Sequence, residues 1–521
     1  MNTSTFFDHW RIAENPFRGE EARSDTVFAK LAGASSGTSG SAGAAGAALA
    51  GSHAVHSDFE KIVGELTRPS SSIVFGEKGS GKTAIRMQLA ERVARHNQNL
   101  PSQRVFLVPY DELNATLDRL HTRAGGKDSL RTLQQIRLVD HIDAIISSAV
   151  TRLVDRLTGL GPSRVESDLQ KAFRRLPKLA RNDALILQAV YDSSDLATDR
   201  TRRVAKLARV FPPRDALAWA LAVAIGWLPL GAVVAWFLIE PPETQLWETV
   251  LPGVGIACAA LYVGILVGRF VWRPLSVARL AHRLGRQIRT LGRSDSSLTR
   301  SLSQLRAQDR APSRLPVTDS DEQRYAMLDR LRGVLAGLGY PGVIVVIDRV
   351  DEPTLIAGDA EKMRAFVWPM LNNKFLQQEG LGVKMLLPIE LRHALFRESS
   401  AFFQEARLDK QSLVERLSWT GPMLYDLCDA RLRVCLAPDA PGIALLDLFA
   451  EDVTRQDLID ALDQMHQPRD AFKFLYRCIS EHCSNVTTEQ GQWRIPRLVL
   501  ETVRKQESER VQGLYRGIRP A

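Results

Sequence analysis

Between Ser71 and Ala90 the chain reads SSIVFGEKGSGKTAIRMQLA, and no other stretch narrows the possible folds so far. A short apolar run (Ile73, Val74, Phe75) stops at Gly76, glycines recur at 79 and 81, and Lys82 and Thr83 open a run with helical spacing. The interval from Gly76 to Thr83 fits G-x-x-x-x-G-K-[ST], the P-loop pattern. Gly76, Glu77, Lys78, Gly79, Ser80 and Gly81 form a loop whose backbone N–H groups can curl round phosphate oxygens. Lys82 reaches the β- and γ-phosphates, and the Thr83 hydroxyl ligates Mg²⁺. A helix beginning at Lys82 adds its positive end. A glycine-rich turn without nucleotide can share the eight-residue pattern, but it needs neither the strand before nor the helix after. The expectation is an α/β fold with a parallel sheet that takes ATP and Mg²⁺.

The chain has 521 residues, 45% of them hydrophobic, enough for two or three domains with sizeable cores. Its net charge of +9 suits nucleic acid, anionic lipid or an arginine-rich composition, and the position of the charge decides among them. Five cysteines, at 258, 428, 435, 478 and 483, form no zinc pattern and fit a reducing compartment. Asp8, Arg11 and Glu14 interrupt the N-terminal apolar residues, so a cleaved export signal is not expected. Asn15-Pro16 is turn chemistry, and residues 1–32 read as a segment docking on the core. Residues 33–52 are almost only Gly, Ala, Ser and Thr and read as a linker.

Residues 53–115 hold the first part of the nucleotide core: the P-loop strand and helix, then a buried strand at Arg104–Val108. Residues 116–214 carry helical spacing instead of the next strand. Two charge-free runs follow, 24 residues from Ala216 to Ile239 and 19 from Val250 to Gly268. A hydrocarbon core of about 30 Å needs ~20 helical residues, so residues 215–272 are expected to form a transmembrane hairpin. Arginines crowd both outer flanks and Glu240, Glu243 and Glu248 lie between, which predicts both termini and the P-loop on the cytoplasmic side of the inner membrane. That distribution favours anionic lipid over nucleic acid as the basic partner. In the juxtamembrane region 273–335, Leu280, Leu284, Ile288 and Leu291 share one helical face opposite Arg279, Arg283 and Arg286. This stripe suits an interfacial helix or a plain amphipathic linker helix equally.

The core resumes over 336–420. Val343–Ile347 is a continuous β-branched run followed by DRVDEP, a Walker B pattern in which a doubly buried strand delivers Asp348 to Mg²⁺. Glu352 is the first candidate for taking the proton of the attacking water and Asp351 the second. A strand at Val383–Leu387 ends near Glu390 and Arg392, candidates for sensing the γ-phosphate. Ser412–Trp419 reads as a fifth strand, with Arg407 and Lys410 before it as candidate arginine fingers or solvated charges. Residues 421–521 read as a helical lid and C-terminal region.

The order GEKGSGKT, a long gap with an apolar hairpin, then VIVVIDRVDEP resembles the KAP group of P-loop NTPases. In that group transmembrane helices lie between Walker A and Walker B. D-x-x-D-E is also similar to the extended Walker B of STAND-class NTPases, and Pro468-Arg469-Asp470 is similar to their lid motif, which implies that Arg469 contacts nucleotide. The chain departs from the KAP pattern at Arg349, where the second acid would stand. The resemblance implies an Mg²⁺-dependent ATPase, homo-oligomeric, acting as a nucleotide-driven switch at the inner membrane in phage defence or signalling, with a protein partner not named by the sequence. A motor for membrane secretion or assembly, and a nucleotide-binding scaffold with little turnover, are the alternatives.

Overall fold

The computed structural model describes residues 1–18, 22–35, 55–209, scattered positions between 226 and 264, and 266–515. The chain divides into two compact units, one made of Met1–Asp111 with Gly342–Ala521 and the other of Glu112–Pro341.

The first unit is built on five parallel strands, β1 (Ser72–Gly76), β2 (Val105–Tyr110), β3 (Gly342–Ile347), β4 (Leu381–Pro388) and β5 (Ser412–Val414), in spatial order β2-β3-β4-β1-β5. β1, β3 and β4 are buried at every position, which is why they read as unbroken apolar runs. In register, Gly76 lies opposite Pro388 and Ile347 opposite Met385, so three neighbouring strands end at one edge. Parallel sheets keep ligand sites at that carboxyl edge. The P-loop helix (Lys82–Asn99) returns along the sheet and buries Ile85, Leu89 and Val93 against Val74, Val346 and Leu386.

Lys384 is the polar exception within β4. It pairs in register with Ser72 and Val346, is 1% exposed, and its Nζ has no acceptor. Burial pushes the amine down to about 8. In the unfolded chain the lysine binds its proton up to its ordinary pKa of 10.5, so stability rises as pH climbs from about 8 to 10.5 and is level below. Lys384→Met is expected to remove that rise and to stabilise the protein at pH 7 on the order of 3 kcal/mol. Chemical denaturation at pH 7 and pH 10 measures both effects. An unchanged pH response in the variant would overturn the assignment.

The lid comprises the helices Gly421–Val434, Arg455–Asp463, Pro468–Asn485 and Arg497–Tyr515. The N-terminal segment docks on this lid: Phe6, Ile12 and Phe17 enter one core with Leu424, Cys428 and Phe474, and Ile12 bridges Leu436. The Asn15 side chain accepts the Phe17 N–H at 2.9 Å, closing the Asn-Pro turn. Cys428, Cys435, Cys478 and Cys483 are buried thiols; Cys258 lies outside the described residues. The helix Thr26–Ser35 runs into the start of the expected linker, and 36–52 lies outside the described residues.

The second unit is helical, and polar residues tie its helices together from inside. Tyr191 donates to Asp143 at 2.8 Å, Arg324 faces the other oxygen of Asp143 at 3.3 Å, and Arg200 pairs with Asp155 and Asp192. Cutting one partner from such a buried pair typically costs ~3–5 kcal/mol.

The transmembrane hairpin expected over 215–272, and with it the multi-pass inner-membrane placement with cytoplasmic termini, is not upheld: no helix among the described residues is long and apolar enough to cross a membrane. The charge-free runs fall largely on 210–267, mostly outside the described residues. The longest described helix, Leu138–Thr158 at 21 residues, carries Asp140, Asp143, Arg152, Asp155 and Arg156. A single π-helical turn, Gly268–Trp272, ends the second run and leads into the helix Arg273–Gln287. There the apolar stripe is covered by protein: Leu284, Ile288 and Leu291 are buried, and Arg289 pairs with Asp140. Burial of this face fits the linker-helix reading of the stripe. The fold class is thus an α/β parallel sheet interrupted by a helical unit, with a helical lid.

Candidate nucleotide site

At the carboxyl edge of the sheet, β1 turns into the P-loop helix through Gly79 and Gly81, at φ +98° and +95°. Both lie in the left-handed region that glycine enters without Cβ strain. A Cβ at position 79 would also meet Gln467 Oε1 at 2.9 Å and the Arg469 Cβ at 3.2 Å, so the lid closes tightly on the loop here. Gln467, the residue before the helix Pro468–Asn485, donates to Glu77, and Arg416 meets the other Glu77 oxygen at 2.7 Å. Trp419, just beyond β5, donates its indole N–H to the Ser80 carbonyl at 2.9 Å. The lid and the β5 exit therefore hold the P-loop backbone from outside.

Lys82 donates to the carbonyls of Gly76 and Glu77 at 2.7 and 2.9 Å. Burial pushes its ammonium down, and the carboxylates of Asp351, Asp348, Glu390 and Glu77 push it back up. The Thr83 hydroxyl donates to Asp348 Oδ2 at 3.2 Å, joining the two residues expected to hold Mg²⁺. Asp348 is 1% exposed, and burial pushes its carboxyl up, against Arg86, Lys82, the Arg349 N–H and Thr83. A desolvated carboxylate beside a hydroxyl fits a hard divalent cation. Among the described residues no cluster of three or more His, Cys, Asp or Glu side chains forms a metal cage. Magnesium in phosphate-transfer sites needs none, because one or two protein oxygens, waters and the phosphates complete its shell.

The Walker B loop is bent. Arg349 has φ +61°, a left-handed conformation that costs a non-glycine residue roughly 1–2 kcal/mol. Its backbone N–H donates to Asp348 Oδ1 at 3.0 Å and its Nε to Glu352 Oε1 at 2.6 Å. Asp348, Arg349, Asp351 and Glu352 all line one cavity of about 420 Å³ with Lys78, Gly79, Gly81, Lys82, Thr83 and Arg469. The expected base Glu352 is thus present but engaged by a neighbouring cation. Asp351 is the first of the carboxylates acting on Lys82.

Phe28, His56, Trp419 and Phe472 also line the cavity. His56 Nδ1 accepts the Asp58 N–H at 3.0 Å and its Nε2 sits 2.9 Å from the Ser418 carbonyl, which fixes the neutral Nε2–H tautomer. Burial lowers its pKa, and its ring meets Trp419 edge-on at 4.8 Å between centroids.

Other expected residues are elsewhere. Arg392 turns to Glu415 at 2.8 Å and stacks on Phe396, and Arg407, 43% exposed, leans on Asp409; neither lines the cavity. Glu390 opens the helix after β4 and acts on Lys82 through its charge. Arg86 and Asp111 are unexpected: Arg86 lies 3.3 Å from Asp348 and pairs with Asp111, which also takes Arg23 at 2.5 Å. An acid just past the end of a parallel strand was the available signal for Asp111. The chain matches no protein-family model, no curated protein and no solved structure.

Proposed function

We propose that this protein is an Mg²⁺-dependent ATPase of the P-loop class that works as a nucleotide-driven switch, with the lid as the element that responds. One observation carries the reading: Lys82, Thr83, Asp348, Asp351, Glu352 and Arg469, scattered over the chain, meet around a single cavity. Lys82 neutralises the β- and γ-phosphates, the loop N–H groups cradle them, and Thr83 with Asp348 holds the metal. Bound Mg²⁺ supplies charge neutralisation across the phosphate oxygens. Glu352, or Asp351, accepts the proton of the attacking water. Arg469, at the start of a lid helix packed on Gly79, links phosphate occupancy to the lid. The motif order and the helical insertion between Walker A and Walker B support a place beside the KAP and STAND NTPases, and with it a setting in phage defence or signalling. Arg407, with a half-exposed side chain, suits contact with a second copy.

The scaffold reading, with little turnover, has one observation of its own, the pairing of Glu352 with Arg349. Steady-state phosphate release separates the two. For the metal, Asp348→Asn is expected to weaken ATP binding in Mg²⁺ by ~10-fold or more, a scale that outer-shell ligands already reach. Chelation by EDTA should weaken the native protein and leave the variant almost unaffected. Equal responses to EDTA would remove Asp348 from the metal site.

A further inference from the structure

Arg349 has no role so far, although it is a cation lining the cavity of about 420 Å³. It directly follows the metal-binding carboxylate and takes a left-handed backbone at φ +61°. Residues held in such conformations gather at functional sites, so the strain asks for an explanation. Its Nε donates to Glu352 Oε1 at 2.6 Å, and the Glu352 N–H returns to the Arg349 carbonyl at 3.3 Å. The pair therefore spans one tight turn, and the side chains can part without opening the loop. The Arg349 side chain is 18% exposed and that of Glu352 47%, so the carboxylate keeps access to water while the guanidinium is largely covered.

We propose that Arg349 reads the γ-phosphate: Glu352 and the γ-phosphate of a bound triphosphate compete for its guanidinium, and transfer to the phosphate releases Glu352 to accept the water proton. This rests on the ATPase reading above. The chemistry sets the order of preference. A guanidinium matches two phosphate oxygens as well as it matches a carboxylate, and a terminal phosphate carries about twice the charge. The diphosphate has no group at that position and leaves the Arg349–Glu352 pair intact. The base is thus paired in the diphosphate complex and free in the triphosphate complex. In the hydrolytic step, water oxygen bonds to the γ-phosphorus, the bond to the bridging oxygen breaks, the proton passes to Glu352, and ADP and phosphate leave. Release of phosphate returns the guanidinium to Glu352. Arg349 touches the transferred group and is a catalytic residue in that sense, and it positions Glu352 as well.

Calorimetric titration of the full chain with Mg²⁺ and either ADP or the slowly hydrolysed ATPγS tests this. The native protein is expected to prefer ATPγS. Arg349→Gln should lose ~10-fold of the ATPγS affinity, about one charge-assisted contact, with ADP affinity within ~2-fold. Arg349→Lys should restore part of the preference. Glu352→Gln, on an exposed side chain, removes the competitor and should bind ATPγS a few-fold more tightly than the native protein, with ADP unchanged. That gain should vanish in the double variant. Equal losses for both nucleotides in Arg349→Gln, or no gain in Glu352→Gln, would overturn the proposal and leave the ATPase reading standing. If the native protein binds neither nucleotide, or binds both independently of Lys82, the ATPase reading itself fails.

Discussion

Lys82→Ala is expected to abolish measurable ATP binding by the otherwise folded protein. The ammonium is held at the mouth of the P-loop by the Gly76 and Glu77 carbonyls, within the field of four carboxylates. Removing it leaves Asp348, Asp351, Glu390 and Glu77 beside a site that must accept several phosphate charges, and backbone N–H dipoles alone do not offset that repulsion. Arg469 lines the same cavity but belongs to the lid, and Arg349, assigned to the γ-phosphate alone, does not replace a cation held between the β- and γ-phosphates. Lys82→Arg keeps the charge and overfills the loop, so it is expected to recover little. The measurement is ATP titration alongside thermal unfolding, with retained melting showing that the fold is intact. Native-like affinity in the alanine variant would remove the P-loop assignment.

Glu352→Gln is expected to keep ATP binding and lower turnover by ~10²-fold or more, the usual scale for loss of a general base. Glutamine preserves the shape but carries no charge to compete for Arg349 and accepts no proton. The comparison with Asp351→Asn decides which acid acts, because both side chains line the cavity. Glu352 has the longer reach and, at 47% exposure, contact with water, whereas Asp351 is first among the carboxylates acting on Lys82. Asp351→Asn is therefore expected to alter affinity more than rate. Single-turnover phosphate release gives both quantities. Wild-type turnover in Glu352→Gln with loss in Asp351→Asn would transfer the role to Asp351, and wild-type turnover in both would favour the scaffold reading.

Parts of this site are legible along the chain because their physics is local. A loop that wraps phosphate needs glycines at short spacing, and a doubly buried strand needs an unbroken apolar run, so Gly76–Thr83 and Val343–Asp348 announce themselves. The ligatures between them do not. Arg86 meets Asp348 and Asp111 only because β3 and β4 lie between β2 and β1 in the sheet, and no periodicity encodes that order. Arg349 reads as a missing acid, yet its contact with Glu352 depends on a left-handed backbone that sequence patterns do not favour for arginine. The apolar face at Leu284, Ile288 and Leu291 shows another limit: a stripe of leucines is the same string whether lipid or protein covers it. The expected hairpin is not upheld, because no helix among the described residues is long and apolar enough to cross a membrane, and absence of charge is a property of composition that does not by itself specify a span.

β2 and β3 are hydrogen-bonded neighbours, yet the entire helical unit is made between them. During synthesis at 5–20 residues per second, β2 waits on the order of 10–50 s for its partner. Through that interval its edge is open to pairing with other chains. Closing a loop of that length costs about 3 kcal/mol more than closing one of ten residues, unless the intervening segment has already condensed. The helical unit, compact and rich in its own buried ion pairs, is the part of the nascent chain that can condense first. Its early folding makes it a tether that shortens the search of β3 for β2, and a mutation that melts it, such as one at Arg324 or Arg200, should show up as aggregation of the chain through the unpaired β2.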